Sequence, residues 1–165
     1  MNLKQILLEQ MKACHDQTNW FVTVNTALAG LNAKQAAWSD GSTSNSIWQI
    51  TNHLIFWNRR YLNKFKGIPN PEFKGSNDDT FEGKGLTDAD WDKTVKEIDE
   101  LLSEMEKAFS EADEAKLASP MDDKNPESSW NELFGLNNIH TAYHIGQIVT
   151  LRKLQGTWDK SKGVN

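Results

Sequence analysis

The chain has 165 residues, 38% of them hydrophobic, which is the size of one domain able to bury a core without staples. Eighteen Lys and Arg against 23 Asp and Glu leave a net charge of −5, which argues against a nucleic-acid partner because a phosphate backbone calls for clustered cations. The one cysteine, Cys14, excludes an internal disulfide and fits a reducing cytoplasm, and no run approaches the roughly 20 apolar residues of a membrane span.

Polar residues interrupt the first apolar stretch (Lys4, Gln5, Glu9, Gln10, Lys12), so it does not read as a signal peptide. Instead Leu3, Ile6, Leu7, Gln10, Met11, Cys14, Phe21, Val24, Leu28 and Leu31 recur at helical spacing, which predicts one long helix over 3–29 stopped by Gly30. A second helix is expected over 46–66, capped by Ser44 or Asn45. Its stripe is Ile47, Ile50, Leu54, Trp57, Tyr61 and Phe65, and Gly67 and Pro69 end it. The third opens at Thr87 with Asp90 in a capping-box arrangement and carries Trp91, Val95, Ile98, Leu102, Met105 and Phe109 on one face. Its other face, rich in Lys and Glu, reads as solvated. The fourth opens at Ser129 and runs through Leu136, His140, His144, Ile148 and Leu151 to Leu154, closed by Gly156.

No segment reads as a strand, so the expected fold is an all-α four-helix bundle. It forms a single domain over 1–156, followed by a partly disordered tail over 157–165. The connections at 67–86 and 112–128 are far longer than a helical hairpin needs, which predicts long crossovers or a loop that covers a site. Several of the seven tryptophans are expected in the core or in pocket walls.

Three of the four histidines fall on faces where helices should meet. His140 and His144 are four apart, so on a helix they return to within about 40° of one direction, about 6 Å along the axis. Two imidazoles can therefore converge on one ion. The sequence here is HTAYH, with Thr141 where a zinc protease of the HExxH type carries its glutamate, so that class is set aside. Spacing alone leaves two readings open, a metal pair or two polar side chains near the bundle surface. His53, at the border of the second helix's apolar face, would supply a third ligand and leave positions open for substrate. His15 reads as an ordinary helix residue. It and Cys14 are the remaining donors should an ion take a fourth ligand.

The segments SIWQITNHLIFWNRRYL around His53 and IHTAYHIGQIVTLRKLQG around His140 and His144 resemble the two signature stretches of the DinB/YfiT-like superfamily. The similarity extends over nearly the whole chain. The resemblance implies a four-helix bundle with crossed helix order, often a homodimer, that binds one divalent ion, zinc or nickel, through His53, His140 and His144. It also implies a small-molecule substrate, with either transfer of a low-molecular-weight thiol onto an electrophile or hydrolysis as the reaction.

A divalent ion on three neutral histidines would act as a Lewis acid on a water or a thiol. No Asp or Glu adjoins the histidines, which favours thiol transfer; a hydrolase would have to recruit Glu72, Asp78, Asp79, Asp122 or Asp123 from the loops. Helical spacing makes Asn137 and Gln147 candidates to orient an imidazole, Trp57 a pocket wall, and Arg60 a contact for an anionic substrate group. A non-catalytic metal or small-molecule binding protein of a stress response is the competing class.

Overall fold

The computed structural model describes residues 2–41, 45–83, 87–122 and 126–163. Among these are α1 (Leu3–His15), α2 (Val24–Leu28), α3 (Ala33–Ala36), α4 (Ile47–Phe65), α5 (Asp88–Glu111), α6 (Glu114–Ala118) and α7 (Trp130–Leu154). The described residues form no strand, and one isolated antiparallel bridge joins Pro120 to Ser129. Among the described residues no helix is long and apolar enough to cross a membrane.

The four long helices begin where side-chain caps satisfy the first free N–H groups. Asn2 with Gln5, Ser46 with Gln49 and Thr87 with Asp90 form reciprocal capping boxes, and Ser129 accepts from the Glu132 backbone. The cap of α4 is thus Ser46 and not Asn45; Ser44 lies outside the described residues.

The single helix expected over 3–29 is two. α1 ends at His15 with Asp16 as its C-cap, and the chain then runs without helix until Thr23 caps α2. Asp16, Gln17, Thr18 and Asn19 include three weak helix formers and no apolar side chain to bury, so propensity and packing both fail there. Trp20 at this break is 93% exposed. The short helices α2, α3 and α6 sit in what the sequence reads as the end of a long helix or as loop. The tail is held at its start, where Arg152 donates to the Thr157 carbonyl and lies 5.3 Å from the Trp158 ring, while residues 159–163 are exposed.

The principal contacts between long helices are α1 with α5, α5 with α4, α4 with α7 and α7 with α1. Chain order and spatial order therefore differ: α1 and α4 stand on a diagonal, as do α5 and α7. Trp48 packs on Trp91 near the starts of α4 and α5, and Lys66 pairs with Glu104 further along both, so these two neighbours run parallel. α7 runs the other way, with Phe65 against Trp130 and Phe134 at one end and His53 against His140 and His144 towards the other.

A parallel pair needs a return path, and 66–83 forms its described part. The segment retraces α4 towards its start, held by Asn63 to Asn70, Arg60 to the Pro71 carbonyl, Trp57 to Asn77, and Gln49 to the Phe81 carbonyl. It is both a crossover and a cover. Between the helices the core is aromatic, with Trp48, Trp91, Phe109 and Phe134 almost fully buried.

Candidate metal centre

α4 and α7 bring His53, His140 and His144 together. The Nε2 atom of His140 lies 3.1 Å from Nε2 of His53 and 3.0 Å from Nε2 of His144. His53 is 1% and His144 4% exposed, while His140 is half-buried.

The remaining ring nitrogens define the tautomers. Thr80 spends its hydroxyl proton on the Asn77 carbonyl at 2.6 Å, so it can only accept from His53 Nδ1–H, also at 2.6 Å. Gln147 Oε1 accepts from His144 Nδ1–H at 2.7 Å, and its amide in turn donates to the Tyr143 hydroxyl. Both rings therefore present an Nε2 lone pair to the centre. Burial and then the two neighbouring imidazoles push His53 down to about 3, and burial with His144 pushes His140 down to about 4. Burial also lowers His144, against the opposing bond from Gln147. The triad is neutral at physiological pH.

This donor set suits a cation. A single N–H on His140 Nε2 can serve only one neighbour at a time, whereas one ion serves all three lone pairs. Nitrogens about 2 Å from a tetrahedral zinc stand about 3.3 Å apart, close to the spacing found. The three ligand atoms all lie within 4.8 Å of one another, and the group could hold a metal ion.

Phe81 is stacked on the His53 ring with centroids 3.9 Å apart and planes 7° from parallel. The triad opens on a pocket of ≈ 910 Å³ whose other walls include Asn77, Asp78, Tyr143, Gln147 and Thr150. Thr80 and Phe81 are contributions that no helical periodicity announces. The one sequence signal was the length of the 67–86 connection.

The expected neighbours divide. Gln147 bonds His144, and Trp57 is a wall beside His140. Asn137 instead donates to Asn58, whose own amide donates to the Leu54 carbonyl, and Asn137 Oδ1 is buried without a partner. Arg60 is not at the pocket: it donates to the Pro71 carbonyl and lies over Phe56 at 5.4 Å, because seven residues carry it two turns past His53. No fourth ligand comes from α1. Cys14 donates to the Asn138 carbonyl, with burial pushing its thiol up to about 12, and His15 is clasped by Glu106 and Asp99. Of the loop acids, Asp79 is engaged by Ser76, Glu72 by Lys74 and Asp122 by Lys64. Asp123 lies outside the described residues, and Asp78 lines the pocket.

In comparisons with known proteins, no curated protein and no solved structure matches the chain. A family model described as the DinB superfamily matches residues 20–148, a stretch that holds all three histidines. The chain belongs to the DinB superfamily.

Proposed function

We propose that His53, His140 and His144 hold one divalent ion, zinc or nickel, and that the protein is an enzyme transferring a low-molecular-weight thiol onto a small electrophile. The observation that carries this reading is the convergence of three neutral imidazoles, two with Nε2 lone pairs set by Thr80 and Gln147, on the wall of an open pocket. Three protein ligands leave coordination positions for substrate, unlike a structural zinc closed by four. An ion held there supplies Lewis-acid chemistry to the donor atom that binds it.

The chain's own groups do the rest. Phe81 shields one face of the triad, the Thr80 and Gln147 bonds hold two rings in register, and Tyr143, Asn77 and Thr150 offer polar contacts to a substrate. Hydrolysis is the second reading, and Asp78 favours it: this carboxylate lines the same pocket and could take a proton from an attacking water. A second copy of the chain is the proposed partner, because Ile6, Trp20 and Ile139 are exposed around one apolar depression between α1 and α7.

Metal analysis of the purified protein beside His140→Ala tests the site. About one equivalent is expected in the first and little in the second; equal contents sink the reading. Monochlorobimane consumption with a bacterial thiol then separates the reactions. Transfer predicts a gain that needs protein, metal and thiol together and survives Asp78→Asn within a few-fold. Hydrolysis predicts no thiol requirement and a loss of about 100-fold or more in that variant.

A further inference from the structure

His140 stands between two recesses. One is the polar triad pocket; the other, of ≈ 340 Å³, is lined by Trp57, Tyr61, Asn77, Leu133, Leu136, Asn137 and His140. Among the described residues the two linings share only Asn77 and His140. Their chemistry differs sharply: among the described residues the second is lined by no Lys, Arg, Asp or Glu, and its walls are two aromatic rings on α4 and two leucines on α7.

The aromatic wall is held in place. Trp57 and Tyr61 are one turn apart with centroids 5.9 Å apart and planes 26° from parallel, and Trp57 Nε1 donates to Asn77 Oδ1 at 3.2 Å. Asn77 thereby links the aromatic wall to the loop whose next residues, Asp78, Thr80 and Phe81, serve the triad pocket. Across from the rings, Leu136 is 60% exposed, a large apolar side chain at the edge of a cleft and not in the core. An uncharged slot between stacked rings and leucines fits a flat, neutral, apolar ligand group.

We propose that this cleft is the subsite for a planar, uncharged, aromatic or unsaturated electrophile, set so that its reactive carbon meets the thiol at His140. The inference rests on the two-substrate reading above and supplies its second substrate class. In the transfer, the thiol passes its proton to water, its sulfur bonds to the electrophile's carbon, and the carbon's bond to the leaving group breaks with the electron pair departing on that group.

The test uses metal-loaded protein without thiol, so binding is read without turnover. Tetramethylbimane, a fluorescent planar probe with no leaving group, is titrated and followed by its anisotropy. Leu136→Glu places a charge at the cleft edge from an exposed position, and Trp57→Ala removes one ring. Each is expected to weaken binding about ten-fold or more. Leu154→Glu, also exposed on α7 but at its far end, is expected to bind as the parent does. Thermal melts by circular dichroism verify that the variants are folded. No saturable binding by the parent overturns the proposal, as do parent-like affinities in both cleft variants or an equal loss in Leu154→Glu. The outcomes separate cleanly: a cleft that binds the probe in a protein with no thiol-transfer activity overturns the transferase reading alone, and active transfer with no probe binding overturns the cleft alone.

Discussion

Thr80 decides what His53 can do. A histidine with both nitrogens unconstrained samples two tautomers, only one of which offers Nε2 to the centre. The hydroxyl, itself committed to the Asn77 carbonyl, removes that choice. Thr80→Val keeps the shape and removes the acceptor. Metal affinity is expected to fall about 10- to 100-fold with the fold intact, as when such partners of ligands are lost elsewhere. Competition with a fluorescent zinc chelator measures it, and unchanged affinity would deny Thr80 the role. The histidines were legible as residues because imidazoles four apart on a helix point the same way. Thr80 and Phe81 were not, since they come from an aperiodic loop and their type implies no site. Arg60 shows the converse error: the shared helical direction was right, but the axial distance carried it to a different neighbour.

Helix phase explains why the stripe read on α7 is partly displaced. Each four-residue step overshoots a full turn by about 40°. From Leu136 through His140 and His144 to Ile148 the direction drifts from solvent to core, so Leu136 is 60% exposed and Ile148 fully buried. His140 sits on the border, where it can reach both the triad and the cleft. The other decisive element is the return segment along α4. Arg60 holds it through the Pro71 carbonyl, an exposed bond worth about 1 kcal/mol at most. Arg60→Ala should therefore speed amide exchange across 70–82 up to about five-fold while α5 exchanges as before. Exchange that stays at the parent rate would mean the other tethers to α4 suffice.

At the scale of the whole molecule, His15 joins α1 to α5 through both ring nitrogens, at 2.6 Å to Glu106 and 2.8 Å to Asp99, while Asn25 of α2 also donates to Asp99. Burial alone would lower its pKa, but the bonds from Glu106 and Asp99 and the charges of Glu106 and Asp16 outweigh it, so the folded value lies above 6.5. A raised folded value means the stabilisation is complete below 6.5 and is lost as pH rises through the folded value. Asp99, lowered by Asn25 and then by His15, acts with the opposite sign and loses its contribution only in acid. Urea midpoints should accordingly drop as the pH rises above 6.5 and through the folded value. His15→Gln is expected to cost about 3 kcal/mol near pH 6 and to flatten that decline. A parent-like slope in the variant would show that His15 is not the titrating group.

The helical class and the placing of His140 and His144 on one helix face were legible in the sequence alone, because apolar periodicity, capping residues and i,i+4 spacing are local properties of the chain; that His53 joins them was an expectation of the resemblance. So were the starts of α5 and α7, where Thr87 and Ser129 cap as their neighbours demand. The break after His15 escaped the periodic reading because Phe21 and Val24 continue the apolar spacing across residues that cannot sustain a helix. Crossovers were expected from the long connections, but which helices become neighbours, the retracing loop that brings Thr80 and Phe81 to His53, and the neutral cleft beyond His140 were decided by tertiary structure. Each depends on groups far apart in the chain, and no local pattern encodes which long-range partner a side chain will meet.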